Sequence, residues 1–293
     1  MKASDESRFT AAARQLIELY SLKTPYHRGK WRVVEGLLRV SGVDKRDTRR
    51  EYIVERGGVH WRLNTQCVVQ RRLYYHGGFD KNELGELTKR LGRGSVFLDV
   101  GSYFGYYALE VAQRMGDGVT VHAFEPAPNN FKQLMGNVAL NGYATLKAHN
   151  VAIGDVEGAV GFEGAPEANG GTGRIVESSG GPDVEKVRCV TLDGFVEAEG
   201  ITRVDGMKID VEGAETRVLA GGRRTLERFK PTLVVEYNPP CLQRYGTEPE
   251  ALLRQLRDLG YEIYRAKRDA IERFTGLKEG ESYANVLCVA ARE

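Results

Sequence analysis

From residue 95 onward, short runs of Val, Ile, Leu and Phe end in Gly, Pro or an acid and alternate with stretches of helical period. Apolar runs at 96–100, 119–124, 146–153, 206–209 and 232–236 read as buried strands. Helices are expected over 106–115, 129–140, 213–229 and 249–259, with a shorter one from Leu192. Strands that alternate with helices fold as a parallel sheet, because a parallel pair needs a long crossover and a helix supplies it. Further strands are expected at 187–190, 262–265 and 285–291. Asn82 to Leu91 reads as a helix, and the glycine-rich stretch 163–183 as a mobile surface loop.

Residues 1–90 follow a different pattern. Phe9, Ala12, Ala13, Leu16, Ile17 and Tyr20 recur at a helical period, and Trp31, Val34, Leu37 and Leu38 form a second stripe. Two strand-like runs at 51–56 and 59–63 then flank Gly57-Gly58, the pair that a tight hairpin favours. This gives an N-terminal extension of residues 1–90, helical and then hairpin, ahead of a ligand-binding domain at 91–293. Residues 1–80 carry 16 basic against 9 acidic side chains, +7, whereas residues 81–293 carry 26 against 31, −5.

The net charge of the whole chain is +2, too small for a dedicated nucleic-acid binder. No apolar run reaches the roughly 18 residues of a membrane span, and the charged start does not read as a signal peptide. Cys67, Cys189, Cys241 and Cys288 are scattered and form no CxxC pair. They read as ordinary thiols of a reducing compartment, so a cytoplasmic location is expected.

The chemistry concentrates at three strand ends. At the first, Asp99, Gly101 and Gly105 form D-x-G-x-x-x-G between a strand and a helix. Such a turn lets a ligand lie against backbone amides. At the second, Glu125 stands 24 residues after Gly101, just before Pro126. In nucleotide-binding sheets an acid about 20 residues past the glycines holds the ribose hydroxyls. Tyr103 occupies the place of the middle glycine of G-x-G-x-x-G, so the pyrophosphate fingerprint is missing. The pattern favours a ligand without phosphates and with an amino-acid tail, S-adenosylmethionine, over a dinucleotide.

At the third, Asp210 ends a strand in the same crevice, and Glu236 and Asn238 end the next one. Asp210, Glu236 and Asn238 are candidate hard-oxygen ligands for a cation such as Mg2+. Alternatively, a carboxylate serves as general base. His76 is a further candidate base, since imidazole titrates near neutrality. Tyr74, Tyr75, Tyr103, Tyr106 and Tyr107 could wall an acceptor pocket.

In order along the chain, FLDVGSYFGYYAL, HAFEPAPNNFKQLMGNVALNG, NVAIGD, VTLDGF and MKIDVEGAE resemble the FkbM-type S-adenosylmethionine-dependent methyltransferases, over about half the length. The resemblance implies a class I, Rossmann-like α/β fold with a seven-stranded sheet whose last strand is antiparallel, a place that NVLCVAAR fits. It also implies methyl transfer, mostly to oxygen of a small molecule, sugar or natural product. By the same resemblance, Asp99 and Gly101 would hold the methionine portion and Glu125 the ribose. Val151 and Ala152 would flank the adenine, with Asp155 near its amino group, and Asp210 would stand by the methyl. The family usually has Asn where this chain has Tyr103. The expected partners are a small-molecule acceptor and a second copy of the chain, with neither nucleic acid nor membrane.

Overall fold

The computed structural model describes residues 8–24, 29–43, 51–164, 173–176 and 184–291. The charged start and most of the glycine-rich stretch lie outside the described residues. The chain divides into two compact units, with the main boundary between Phe79 and Asp80.

The first unit contains helices α1 (Arg8–Lys23) and α2 (Lys30–Ser41), the hairpin β1 (Glu51–Arg56) and β2 (Val59–Asn64), and helix α3 (Val68–His76). Gly57 and Gly58 both have positive φ, 65° and 80°, the backbone that a two-residue hairpin turn requires. They bring Arg56 opposite Val59. The buried side of α1 is not its apolar stripe. Thr10, Arg14, Ile17 and Ser21 are buried while Leu16 is exposed. The buried polar groups are paired, Arg14 donating to the Tyr74 hydroxyl at 2.9 Å and the Ser21 hydroxyl to the Tyr75 carbonyl. Hydropathy alone could not locate that side.

The second unit opens with α4 (Lys81–Thr88), whose Leu84 and Leu87 are fully buried. It packs on the strands of this unit, so residues from Asp80 onward belong with the sheet. The strands are β3 (Ser95–Val100), β4 (Val119–Phe124), β5 (Leu146–His149), β10 (Gly206–Ile209), β11 (Thr232–Tyr237), β12 (Tyr261–Ala266), β13 (Ile271–Arg273) and β14 (Ala284–Ala290). Their order across the sheet is β13-β12-β14-β11-β10-β3-β4-β5. The pairs from β11 through β10, β3 and β4 to β5 are parallel, and β14 lies antiparallel between β11 and β12. Without β13 this is the seven-stranded, class I order with its reversed last strand. The eighth strand arises because a tight turn, Lys267 N–H to the Ala270 carbonyl at 2.8 Å, folds β13 back along β12.

The connecting helices include α5 (Tyr106–Met115), α6 (Pro128–Asn141), α7 (Leu192–Ala198), α8 (Glu215–Gly221), α9 (Arg223–Phe229), α10 (Pro239–Arg244) and α11 (Pro249–Asp258). The core joins Leu98, Val100, Met207, Ile209, Leu233 and Val235 of the central strands to Leu252 and Leu256 of α11. A second sheet, β6 (Ala152–Gly154), β9 (Val184–Thr191), β7 (Gly158–Glu163) and β8 (Arg174–Val176), runs in that order.

Two expected elements are interrupted. The run 146–153 breaks after His149 because the Asn150 side chain donates to the Glu125 and Pro126 carbonyls and turns the chain into the second sheet. The run 213–229 divides at Gly222, and the Asp193 carboxylate caps the second half by accepting from Arg224 and Thr225 N–H at 3.1 and 2.8 Å. Strand order reverses between β3 and β10, and a crevice opens there at the carboxyl ends of the strands.

Candidate active site

The turn after β3 is built around close backbone contact. The Gly101 and Ser102 N–H groups both donate to the Phe124 carbonyl, at 3.1 and 2.8 Å, and Asp210 N–H donates to the Val100 carbonyl at 3.0 Å. Gly101 has φ +85°, and a Cβ there would lie 1.8 Å from the Asp210 carbonyl oxygen. Glycine is therefore required for two strand ends to touch, whatever lies over the turn. Tyr103 has φ +51°, a left-handed conformation that Asn tolerates and a bulky side chain adopts at a cost. Its ring lines the crevice and stands edge-on to Phe104.

Glu125 ends β4 at the crevice wall. Its carboxylate accepts from Tyr103 N–H at 2.8 Å, Ala127 N–H at 3.0 Å and the Asn130 side chain at 3.3 Å. It thus ties the glycine turn to the start of α6. Burial pushes its pKa up to about 7, against the pull of those donors. A carboxylate offers about four lone-pair directions, so one acceptor position remains after these three bonds. Beyond it, Val151, Ala152 and Ile153 meet Phe162 and Ile175 of the second sheet to form an apolar wall.

At the other end Asp210, Val211 and Glu212 line the crevice. Asp210 Oδ2 lies 3.0 Å from Lys208 Nζ, the lysine buried and the Asp210 side chain 32% exposed. Lys208 also donates to Asn285 Oδ1 at 2.6 Å and lies over the Tyr107 ring. Burial alone would lower the lysine pKa, but Asp210, Asp80 and Glu236 outweigh it and raise it. Carboxylate oxygens of Asp210, Glu212 and Glu236 lie within 4.8 Å of one another. Burial, then the neighbouring carboxylates, pushes Glu212 up to about 7 and raises Glu236 as well.

Asn238 follows Glu236 by two residues, at the start of α10. Its side chain accepts from Cys241 N–H at 3.4 Å and caps α10. The third carboxylate is instead Glu212, which sequence reasoning missed although it lies within KIDVEGAE. A left-handed backbone, φ +56° at Glu212, turns the chain just past β10 and leaves this side chain on the crevice wall. The available signal was an acid directly before a glycine at a strand end.

Other expected residues stand apart from the crevice wall. Asp99 is buried beneath the turn, where Oδ2 accepts from the Ser102 hydroxyl at 2.7 Å and from Ala108 N–H at 3.0 Å. It holds the turn and the first turn of α5, and burial raises its pKa to about 6. Gly105, φ +95°, precedes α5, and a Cβ there would press on Leu134 at 2.7 Å. Asp155 is exposed beyond β6. Tyr107 is buried and its hydroxyl donates to Asp80 at 3.3 Å. Tyr106 is likewise buried, and Tyr74 and Tyr75 are core residues of the first unit. His76 ends α3 in that unit, with its ring 4.6 Å from that of Trp31 and Nδ1 3.5 Å from Ser21 Oγ. Every residue of the crevice wall comes from the second unit.

Residues 99–263 match the family model described as the methyltransferase FkbM domain. The chain is similar to the hexuronic acid methyltransferase AglP of Haloferax volcanii, 28% identical over 75% of this chain and 87% of that protein. It is also similar to the 31-O-demethyl-FK506 methyltransferase FkbM of Streptomyces tacrolimicus, 31% identical over 44% of this chain and 59% of that one. Among solved structures, a methyltransferase FkbM from Methylobacillus flagellatus aligns with a TM-score of 0.44 and 14% identity, over 94% of this chain and 76% of that one.

Proposed function

Because this chain belongs to the FkbM methyltransferase family, an S-adenosylmethionine-dependent group, we propose that it transfers the methyl to a hydroxyl oxygen of a small molecule, a sugar or a natural-product intermediate. The observation that carries this reading is the crevice, which has Glu125 at one end, the apolar wall beside it and Asp210 at the other. An acid for a sugar diol and a flat apolar slot for an aromatic base fit S-adenosylmethionine. The relatives that act on a hexuronic acid and on a 31-O-demethyl compound, by their names, support oxygen as the acceptor and a sugar as the first class to try.

When bound, S-adenosylmethionine supplies an electrophilic methyl on a positively charged sulfur. The chain has to align the acceptor with it and keep water out. Glu125 would hold the ribose, and Val151, Ala152 and Ile153 the adenine. Asp210 faces the acceptor. An alcohol is a weak nucleophile at neutral pH, so its proton must leave as the oxygen–methyl bond forms and the carbon–sulfur bond breaks. Asp210 takes that proton as general base; alternatively, with its neighbouring carboxylates it would hold a cation such as Mg2+, whose charge would acidify the hydroxyl.

The test is release of S-adenosylhomocysteine across a panel of hydroxylated acceptors, uronic acids and neutral sugars included, beside amines of matched size. Turnover on a hydroxylated acceptor with product methylated at oxygen is expected. Turnover confined to amines would assign nitrogen as the acceptor atom and overturn the oxygen assignment.

A further inference from the structure

Four acids gather at the end of the crevice. Asp210, Glu212 and Glu236 meet within 4.8 Å, and Glu215 lies just beyond, with Oε1 accepting from the Val211 and Gly213 N–H groups at 3.1 Å each. Two cations act on this group. Lys208 pairs with Asp210. Arg244 reaches Cys241 Sγ at 3.1 Å, and that thiol in turn donates to Glu212 Oε2 at 3.3 Å. When all are ionised, these four acids outnumber the two bases. A buried charge without a partner is costly.

A second observation points to a ligand at the same place. Glu236 is only 8% exposed, and its Oε2 receives no hydrogen bond among the described residues. It stands at the end of β11, with a carboxylate oxygen turned into the group formed with Asp210 and Glu212. A buried polar atom left open in this way needs an explanation.

We propose that Asp210, Glu212 and Glu236 bind one hard divalent cation, of the magnesium or manganese type, at the acceptor end of the crevice. All three ligands are carboxylate oxygens, the donors that hard cations prefer. Three protein oxygens also leave coordination positions for water and for an acceptor hydroxyl, as magnesium sites usually do. Asp210 and Glu212 line the cavity while Glu236 lies behind them, so the cation is anchored from the buried side and open toward the acceptor. Its role in acidifying that hydroxyl rests on the methyl-transfer reading above; the cation site itself does not.

The probe is Mn2+, added to chelator-treated full-length protein and followed by loss of the free-ion electron paramagnetic resonance signal. One Mn2+ per chain is expected, displaced by excess Mg2+. Glu236→Gln and, separately, Glu212→Gln should each weaken binding at least tenfold. Both variants are compared with the parent by thermal melting and by calorimetric titration with S-adenosylhomocysteine, which should stay within about twofold. Mn2+ remaining free at millimolar concentration, or binding equally to parent and both variants, overturns the cation site. Normal Mn2+ binding together with no S-adenosylhomocysteine binding would leave the cation site standing and overturn the methyl-transfer reading instead.

Discussion

Glu125 does two things with one carboxylate: it fastens the glycine turn to the start of α6, and it lines the crevice, where the proposed function gives it the ribose. Hydrogen bonds to a charged group are worth about 1.5–3 kcal/mol. Glu125→Ala should therefore weaken S-adenosylhomocysteine binding by roughly tenfold or more, and unchanged affinity by calorimetry would remove it from the ribose. Its pKa, raised to about 7 by burial, also sets a pH dependence. The ligand hydroxyls donate to the ionised form, so binding expels a proton from any Glu125 that holds one. Affinity should fall as pH drops from 8 to 6, and calorimetry at the two ends reads the change. Asp210→Asn should cut turnover at least tenfold and leave S-adenosylhomocysteine affinity within about twofold. Surviving activity would exclude Asp210 as base and as metal ligand.

The same residues show what could be read from the chain. The positions of Gly101, Glu125 and Asp210 followed from spacing, since each closes an apolar strand. The reason for Gly101 did not: its missing Cβ makes room for the Asp210 carbonyl, more than a hundred positions away in sequence. Asp99, read as a ligand contact, holds the turn and α5 from beneath, which only the packing reveals. Glu212 was passed over in favour of Asn238 because a left-handed φ leaves no clear mark in the sequence.

At the level of elements, the strand–helix alternation was legible because each buried strand is a short apolar run bounded by turn residues. The breaks were not, since long-range hydrogen bonds of the Asn150 and Asp193 side chains accompany them. Gly221 ends α8, and a Cβ there would sit 1.9 Å from the Gly154 carbonyl oxygen on β6. Gly221→Ala should lower stability by about 2 kcal/mol, as overpacking does, measurable by urea denaturation. A second consequence follows from adjacent strands. His122 of β4 and His149 of β5 lie 3.1 Å apart through Nδ1 and Nε2. Burial, then the neighbouring ring, lowers the His122 pKa to about 4, and burial lowers that of His149. Both histidines favour the folded state in neutral form, so their contribution is complete above the ordinary value near 6.5 and is lost as pH falls toward 4. Urea midpoints should therefore drop between pH 7 and pH 5, and His122→Phe should flatten that slope.

Over the whole molecule, the crevice is furnished entirely by the second unit. A chain shortened to residues 80–293 should retain S-adenosylhomocysteine binding, and its loss would mean that the first unit supports the crevice. The class I strand order matches what the family resemblance implied, with β13 added at the edge. Among the described residues no helix is long and apolar enough to cross a membrane, and the four cysteines are buried and form no disulfide. The first unit was harder to read because α1 buries Arg14 and Ser21 and exposes Leu16, so its inward side is defined by paired polar groups.

The contact between Gly101 and the Asp210 carbonyl leaves no slack for another atom. Main chain therefore works here as a ruler, keeping the glycine turn and the acidic end of the crevice at one fixed span. New acceptors would have to be accommodated by exchanging the side chains around that span, because sliding one strand against the other would drive the turn into the carbonyl it touches.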